Sequence, residues 1–334
     1  MKIVIDDKIP YIREKLALLA DEVVALSGAG ITADDVKDAD ALVVRTRTLC
    51  NADLLADSKV RFVATATIGF DHIDTAYLQR AGIQWTNCPG CNAASVAQYL
   101  ECSLLLLERE KGFCLRESTI GIVGCGHVGS KVKAVAKRLG MSILVCDPLL
   151  ADAGLVSLDV IEQEADIITF HVPLTREGRY ATYHMADNTF FRRLNRVPYI
   201  INTSRGEVVD NQALLTALNE GRVRDAVIDV WENEPLLDLA LLQKVYIGTP
   251  HIAGYSADGK VNADNMVIDA LCHHFGLPHP GRIHAPSLPT DFHYTGDALQ
   301  LYNPLNDSDK LKKHPEKFEF LRNHYPLRRE KTEG

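Results

Sequence analysis

The chain has 334 residues, of which 46% are hydrophobic and 24% are charged, enough for about two domains with apolar cores. Its formal net charge of −8, from 36 basic and 44 acidic side chains, argues against a nucleic-acid surface. No segment is typical of a signal peptide or is apolar for long enough to cross a bilayer, so we expect a cytoplasmic protein without a membrane partner.

The first part of the chain, to about Cys91, alternates short apolar runs with helical segments, and strands are predicted at 3–5, 23–26, 42–44 and 62–64. This alternation is typical of a parallel α/β sheet, whose ligands bind beyond the carboxyl ends of the strands. Arg45, Thr46 and Arg47 follow the strand at 42–44, and Thr67 follows the strand at 62–64. Cations and hydroxyls would therefore meet on one edge of the sheet. The alternative is that Arg45 and Arg47 are solvated loop charges.

The eight cysteines are scattered and are typical of small buried hydrophobic residues in a reducing compartment. Cys88 and Cys91 have the C-x-x-C spacing of a redox or zinc site, but no second Cys or His pair lies nearby. We favour a simple loop, with a redox or metal site as the alternative, and we expect no bound metal. A long apolar helix is predicted from 93 to about 110, and the turn before it is the expected hinge between two domains.

The stretch 118–147 carries the strongest signal in the chain. An apolar strand at 120–123 runs into the sequence Gly-Cys-Gly-His-Val-Gly at 124–129, and a helical pattern follows that Gly140 ends. Gly124 allows a tight turn, Gly126 lets the backbone approach a pyrophosphate, and Gly129 lets helix and strand pack closely. The helix start at His127 and Val128 directs free N–H groups at the anion. The pattern predicts a dinucleotide site, with a merely glycine-rich turn as the alternative.

The second strand of this unit, at 143–146, ends in Asp147. A carboxylate there can accept hydrogen bonds from the ribose hydroxyls of the adenosine and would repel a 2′-phosphate. No arginine follows Asp147 to receive such a phosphate. The predicted cofactor is therefore NAD rather than NADP.

Further strands are predicted at 167–170, 199–201, 226–228 and 245–248, and each ends in polar residues. Arg205, Glu234 and His251 follow three of these ends, on the expected nucleotide edge. Arg205 offers a planar fork to a substrate carboxylate, His251 can take a hydroxyl proton, and Glu234 can orient His251 and favour its protonated form. Together they supply what hydride transfer from a hydroxy acid needs. The alternatives are an ordinary polar histidine, a helix-end ion pair of Arg205 and a turn capped by Glu234.

These motifs resemble the NAD-dependent D-isomer-specific 2-hydroxyacid dehydrogenases. The resemblance is carried by the sequences at 124–129, 202–206, 229–235 and 249–254. It implies that Arg205, Glu234 and His251 are the catalytic residues. The further NAD contacts that we expect are Thr203, Ser204, Arg205, Asp229 and Gly254.

Within the family, the resemblance is strongest to the member that oxidises 4-phospho-D-erythronate in pyridoxal phosphate (vitamin B6) biosynthesis, through residues 64–72, 89–92 and 251–256. It implies substrate contacts by Thr46, Thr67 and Tyr255, to which we add Arg45 as a ligand of the phosphate. The substrate alternatives are 3-phosphoglycerate, glycerate and hydroxypyruvate. A nucleotide-sensing corepressor on the same fold is the alternative from another class.

The expected fold is α/β, with two doubly wound parallel sheets: a Rossmann nucleotide domain inserted into a flavodoxin-like substrate domain. The predicted substrate domain comprises residues 1–91 and 256–288, and the NAD-binding domain comprises 92–255. Segment 289–334, with a short helix near 316–324 and a charged end at 328–331, is shorter than the family's dimerisation domain. We expect it to serve a homodimer with an interface of its own.

Overall fold

The computed structural model describes residues 1–152 and 154–330. They form two compact units, one built from Met1–Asn92 and Ser256–Thr290, the other from Ala93–Tyr255 and the chain from Asp291 onward. The segment predicted to serve dimerisation is thus grouped mainly with the second unit, and its role stays a prediction. Lys331, the last residue of the predicted charged end, lies outside the described residues.

The regular elements are named here in chain order. The strands are β1 Lys2–Asp6, β2 Glu22–Leu26, β3 Ala41–Val44, β4 Phe62–Thr65, β5 Gln84–Thr86, β6 Thr119–Val123, β7 Ser142–Cys146, β8 Ile167–Phe170, β9 Tyr199–Asn202, β10 Asp225–Ile228 and β11 Ile247–Gly248. The α-helices are α1 Arg13–Leu16, α2 Ala33–Val36, α3 Ala52–Leu55, α4 Thr75–Ala81, α5 Ala93–Lys111, α6 His127–Arg138, α7 Leu158–Glu164, α8 Asn188–Arg193, α9 Asn211–Asn219, α10 Leu239–Lys244, α11 Ala257–Phe275, α12 Pro304–Lys313 and α13 Phe318–Asn323. Single 3-10 turns occur at Gly28–Gly30, Leu115–Glu117, Gly206–Val208, Ala298–Gln300 and Pro315–Lys317.

The first unit is a five-stranded parallel sheet in the order β2-β1-β3-β4-β5. Because side chains alternate along a strand, Ile3 and Ile5 enter one apolar core, which includes Val267 of α11, while Val4 enters the opposite core with Leu55 of α3. Both faces are therefore covered. The strand order is that of flavodoxin-like sheets, so the predicted fold class is confirmed for this unit.

The second unit is a six-stranded parallel sheet in the order β11-β10-β9-β8-β6-β7. Ile120 and Ile122 of β6 pack into a core with Leu104 of α5, and Val123 packs into the opposite core with Leu214 of α9. Since β6 has β7 on one side and β8 on the other, the chain order reverses at the end of β6. A parallel sheet binds its ligand in the crevice at such a point, and the glycine-rich loop begins there.

The sequence-based assignment of a strand at 245–248 is wrong in its first half. The N–H of Val245 bonds back to Leu241 O at the end of α10, and the N–H of Tyr246 bonds to Oδ1 of Asp225. Only Ile247 and Gly248 join the sheet. The short helix expected near 316–324 is confirmed as α13. No helix among the described residues combines the length and apolar character needed to span a membrane.

Candidate active site

The glycine-rich loop joins β6 to α6 and has the geometry of a cradle for an anion. Gly124 has a φ of +89°, and a side-chain carbon on Gly129 would lie 2.0 Å from Gly124 O. Glycine is therefore required at both positions by the protein's own packing. A side-chain carbon on Gly126, just before the first residue of α6, would meet nothing within 4 Å. This open space at the helix N-terminus fits the pyrophosphate of a dinucleotide.

Asp147 follows β7 and is held against this loop. Its Oδ2 accepts the N–H of Cys125 at 2.8 Å, and its Oδ1 accepts the N–H of Leu149 at 3.1 Å. Each carboxylate oxygen keeps a further lone pair, so both can still receive ribose hydroxyls. Of the two helix-start residues expected beside the cofactor, His127 is exposed and Val128 is half-buried.

The loop after β9 carries Arg205 and is braced by Asn202. The side-chain N–H of Asn202 donates to Arg205 O at 2.9 Å, and its Oδ1 accepts both the N–H and the hydroxyl of Ser204. The guanidinium of Arg205 donates to Ser204 O at 2.8 Å. Thr203 Oγ1 is buried and has no hydrogen-bond partner among the described residues. A buried hydroxyl without a partner is the observation expected where a ligand completes the site.

Asp229, at the end of β10, anchors the loop that follows β11. Its carboxylate, 1% exposed, accepts the hydroxyl of Thr249 at 2.6 Å and the N–H groups of Ile252 at 2.8 Å and Ala253 at 2.9 Å. Burial raises the pKa of Asp229, against the opposing effects of the His251 charge and these hydrogen bonds. The family resemblance predicts an NAD contact at Asp229. That contact stays a prediction, and the structure adds an anchoring role.

His251 and Glu234 form a hydrogen-bonded pair within the second unit. Nδ1 of His251 lies 2.8 Å from Oε2 of Glu234, whose Oε1 accepts the N–H of Trp231 at 2.9 Å. Burial opposes ionisation of Glu234, but His251, the Trp231 N–H and Arg322 outweigh it, and the pKa of Glu234 lies below its ordinary value. An ionised carboxylate only accepts, so in the neutral form of the imidazole Nδ1 carries the proton and Nε2 carries the lone pair. No described residue hydrogen-bonds that Nε2, which leaves it available as a base.

His251 also has an uncommon backbone conformation. Its φ of +57° lies in the left-handed region that side chains other than glycine rarely adopt. The conformation is held by the N–H of His251, which donates to Asp229 O at 2.8 Å. Such conformations persist where the surroundings enforce them, often at functional sites.

Arg328 and Arg322 are the site residues that the sequence analysis missed. Arg328 is 7% exposed and donates to the backbone carbonyls of Ile252, Ala253 and Tyr255, at 3.1, 2.6 and 2.8 Å. Its guanidinium also lies 4.1 Å from the ring centre of Tyr302. Gly254 and Tyr255, both expected ligand contacts, lie in the loop that Arg328 holds. The sequence offered no signal for this role, because Arg328 lies in a charged stretch without a motif.

Three of the predicted substrate contacts lie in the first unit. Nε of Arg45 is 3.2 Å from Oδ2 of Asp6, and the arginine side chain is 18% exposed. Arg45 is therefore not a solvated loop charge, although its other N–H groups can still bind an anion. Thr46 is exposed. The Thr67 hydroxyl donates to Gly69 O at 2.8 Å and lies 2.7 Å from the Thr65 hydroxyl.

The C-x-x-C pair also lies in the first unit, and both cysteines are buried and form no disulfide. Sγ of Cys88 contacts the carbonyls of Thr65 and Ala263, each at 3.4 Å, and burial raises the pKa of Cys88. Across residues 1–152 and 154–330, no group of three or more His, Cys, Asp or Glu side chains is placed to hold a metal ion.

Comparison with known proteins assigns the class. Residues 106–253 match the model of the D-isomer specific 2-hydroxyacid dehydrogenase NAD binding domain. The NAD-bound 3-phosphoglycerate dehydrogenase of Entamoeba histolytica is similar in structure, with a TM-score of 0.70 and 28% identity over 83% of this chain and 95% of that one. The Aquifex aeolicus D-lactate dehydrogenase, complexed with NAD and lactic acid, also has a TM-score of 0.70, at 26% identity over 83% and 96%. The chain belongs to the D-isomer-specific 2-hydroxyacid dehydrogenases and is an NAD-dependent dehydrogenase.

Relatives that match almost the whole chain carry one particular name. A Bacteroides fragilis protein named erythronate-4-phosphate dehydrogenase is 54% identical over 99% of this chain and 97% of its own length. The protein of the same name from Escherichia coli O157:H7 is 44% identical over 99% of this chain and 92% of its own length.

Proposed function

We propose that the protein oxidises 4-phospho-D-erythronate at C2 to (R)-3-hydroxy-2-oxo-4-phosphooxybutanoate with NAD⁺, a step of pyridoxal 5′-phosphate biosynthesis. The similarity to full-length relatives of that name supports the substrate. The hydrogen bond of 2.8 Å between His251 and Glu234 carries the proposed chemistry, because it leaves Nε2 of the histidine free to accept a proton.

In the proposed reaction, Nε2 of His251 takes the proton of the C2 hydroxyl. The ionised Glu234 holds the imidazole ring in place and stabilises the imidazolium that forms. Arg205 binds the substrate carboxylate and the oxygen at C2 through its planar fork. NAD⁺, when bound, supplies the acceptor for the hydride that leaves C2, so that the products are the 2-oxo acid, NADH and one proton.

Two sets of residues are proposed to bind the ligands. Open space at Gly126 and the unpartnered Thr203 hydroxyl support the cofactor set. The proposed NAD contacts are Gly124, Gly126, His127, Val128, Gly129, Asp147, Thr203, Ser204, Arg205, Asp229 and Gly254. The proposed substrate contacts, besides the catalytic residues, are Arg45, Thr46, Thr67 and Tyr255.

The test is NADH formation from a panel of 2-hydroxy acids, with a carbonyl trap that draws the oxidation forward. We expect the highest kcat/KM for 4-phospho-D-erythronate, with D-3-phosphoglycerate and D-glycerate as comparators and His251→Ala as the inactive control. Hydroxypyruvate already carries a 2-oxo group, so it is tested in the reverse direction, by consumption of NADH. Faster turnover of 3-phosphoglycerate would replace the proposed substrate. NAD binding without turnover of any member would favour the corepressor-type alternative.

We further infer that the protein is a cytoplasmic homodimer. The family resemblance supports the dimer, and the buried thiols of Cys50, Cys88 and Cys102 suit a reducing compartment. Sedimentation equilibrium at working concentration tests the oligomer, since a purely monomeric active enzyme contradicts it. Subcellular fractionation tests the location.

A further inference from the structure

Arg322 lies on α13, in the C-terminal part of the second unit, and its side chain is only 19% exposed. Its Nη1 is 3.8 Å from Oε2 of Glu234, and its Nε donates to the hydroxyl of Tyr255 at 3.3 Å. The guanidinium thus contacts one proposed catalytic residue and one proposed substrate contact. No motif of the sequence analysis includes Arg322.

The contact with Glu234 is made on the oxygen that also binds His251. Oε2 of Glu234 accepts Nδ1–H of His251 at 2.8 Å, while Oε1 is occupied by the N–H of Trp231. A fixed positive charge beside Oε2 helps to keep the half-buried carboxylate ionised. It also offsets part of the negative field that Glu234 exerts on the imidazole ring, because its charge has the opposite sign and lies 3.8 Å from the same carboxylate oxygen.

The contact with Tyr255 fixes that residue from its side-chain end. Arg328 holds Tyr255 O at 2.8 Å, so two arginines of the same segment bind the two ends of one residue. The Tyr255 ring also packs edge-on against Tyr325, with 6.2 Å between ring centres. A phenol held in this way has lost most of its rotamer freedom before substrate arrives, and such preorganisation lowers the cost of binding.

We propose that Arg322 is a positioning residue of the active site, which acts on the reaction through Glu234 and Tyr255. The inference rests on the proposed role of His251 as the base. The C-terminal segment therefore belongs to the catalytic machinery of this chain, in addition to any role in assembly.

Loss of the Arg322 charge and loss of the Glu234 charge should shift the pH profile of kcat/KM in opposite directions. Among the described residues, the charge of Asp229 acts on His251 and that of Arg322 acts on Glu234, while Glu319, on the same helix as Arg322, acts on Arg322. A general base accepts a proton only in its unprotonated form, so we expect kcat/KM to rise with pH on the acid side of the profile. Removal of the Arg322 charge stabilises the imidazolium and should move this rising limb to higher pH, by roughly 0.5–1 unit. Removal of the Glu234 charge should move it to lower pH.

The experiment compares pH profiles of kcat/KM for the full chain with Arg322→Gln, Arg322→Lys, Glu234→Gln and, as a control, Lys317→Gln. Lys317 is an exposed cation just before α13, so its loss changes net charge without touching the pair. We expect the limb to move up in Arg322→Gln, down in Glu234→Gln and not at all in Lys317→Gln. Arg322→Lys keeps the charge and should keep the limb near its original pH. It should raise KM, because lysine lacks the planar fork with which Arg322 reaches Glu234 and the Tyr255 hydroxyl from two separate nitrogens.

The KM effect is checked with Tyr255→Phe. If Arg322 acts through the tyrosine hydroxyl, each single substitution removes the same hydrogen bond between Arg322 and Tyr255. The variant that combines the Arg322 substitution with Tyr255→Phe should then raise KM by no more than about the larger of the two single effects. Arg322→Met keeps the apolar stem and replaces Arg322→Gln if the latter does not fold, as judged by melting temperature and NAD affinity.

An unmoved limb in both neutral Arg322 variants, with the expected downward shift in Glu234→Gln, overturns the role of Arg322 and leaves the proposed function intact. An unmoved limb in Glu234→Gln overturns the assignment of the base, and with it this inference. An equal shift in Lys317→Gln would assign the effect to net charge and also overturn the inference.

Discussion

Nε of Arg45 lies 3.2 Å from Oδ2 of Asp6, a carboxylate at the end of β1 that is only 1% exposed. The two residues are 39 positions apart, and the ion pair joins the ends of two neighbouring strands, β1 and β3. Arg45 therefore has a structural partner besides the substrate phosphate proposed for it. Any test of phosphate binding has to separate the two roles.

The first prediction separates them by substrate. Arg45→Ala should raise KM for the phosphorylated substrate about ten- to a hundredfold, since a hydrogen bond to a charged group is worth roughly 1.5–3 kcal/mol. It should have little effect on a short 2-hydroxy acid without phosphate, and Thr67→Val should behave in the same way. Steady-state kinetics with both substrates are the measurement.

The same variant should also lower the melting temperature, because it leaves Asp6 buried without its cation. Asp6→Asn combined with Arg45→Ala should recover stability but not phosphate affinity. Equal kinetic losses on both substrates would show that Arg45 and Thr67 are structural, and Arg47 would be the next candidate for the phosphate.

The second prediction concerns the base. His251→Ala should lower kcat by about 10²–10⁴, the usual cost of losing a positioned base, while NAD affinity changes little. Stopped-flow turnover and a fluorescence titration with NADH measure the two quantities. A variant that retains most of the wild-type kcat would refute the assignment.

The third prediction concerns cofactor choice. Asp147→Ala should weaken the preference for NAD over NADP, because the carboxylate that repels a 2′-phosphate is gone. Since Asp147 also accepts the N–H of Cys125, Asp147→Asn is the better matched variant: it removes the charge and keeps one acceptor oxygen for this N–H, although the second oxygen, which accepts the N–H of Leu149, is lost. The ratio of kcat/KM for the two cofactors is the readout, and equal use of both by the unmodified enzyme would count against Asp147.

The fourth prediction is about stability and pH. Asp264 on α11 is 1% exposed and accepts the N–H of Tyr11 at 3.1 Å, and burial raises its pKa from 3.8 to about 7. Between these values the folded state binds a proton that the unfolded state does not. The free energy of unfolding should therefore fall as pH rises through this window, by at most roughly 1.4 kcal/mol per pH unit from this group.

Asp264→Asn removes this penalty and should stabilise the protein more at pH values above the window than below it. Chemical denaturation at the two ends of the window measures the difference. Asp57→Asn is the control, because Asp57 lies in the same unit and is exposed. A stabilisation that is independent of pH would contradict the assigned cause.

The parts of the fold that sequence could predict are those with a local pattern. Apolar runs predicted ten of the strands. Strand β5 was not predicted, because Gln84, Trp85 and Thr86 form no such run. The strand predicted at 245–248 is wrong in its first two residues, for a reason that a local pattern cannot show. Val245 and Tyr246 are as apolar as a strand requires, but their N–H groups are taken by Leu241 and Asp225, and no pattern in the sequence records this.

The residues of the candidate site also fall into those that a local pattern predicts and those that it does not. The glycine-rich loop, Arg205, Glu234 and His251 follow strands and are found by position, and the resemblance supplies their roles. Arg322 and Arg328 lie in a stretch of alternating charges, where each would be expected in solvent. Arg328 is buried and Arg322 is half-buried because tyrosines surround them, and two of these, Tyr255 and Tyr302, come from distant parts of the chain. Only Tyr325 is close to them in the sequence.

The buried guanidinium of Arg328 limits where the chain can be truncated or fused to a tag. A fragment that ends at Tyr255 would keep every glycine of the cradle together with Arg205, Glu234 and His251, and by motif it would look complete. It would nevertheless leave the carbonyls of Ile252, Ala253 and Tyr255 without the donor that now satisfies them. Expression fusions are therefore better placed at the other end, away from Arg328, which anchors this loop.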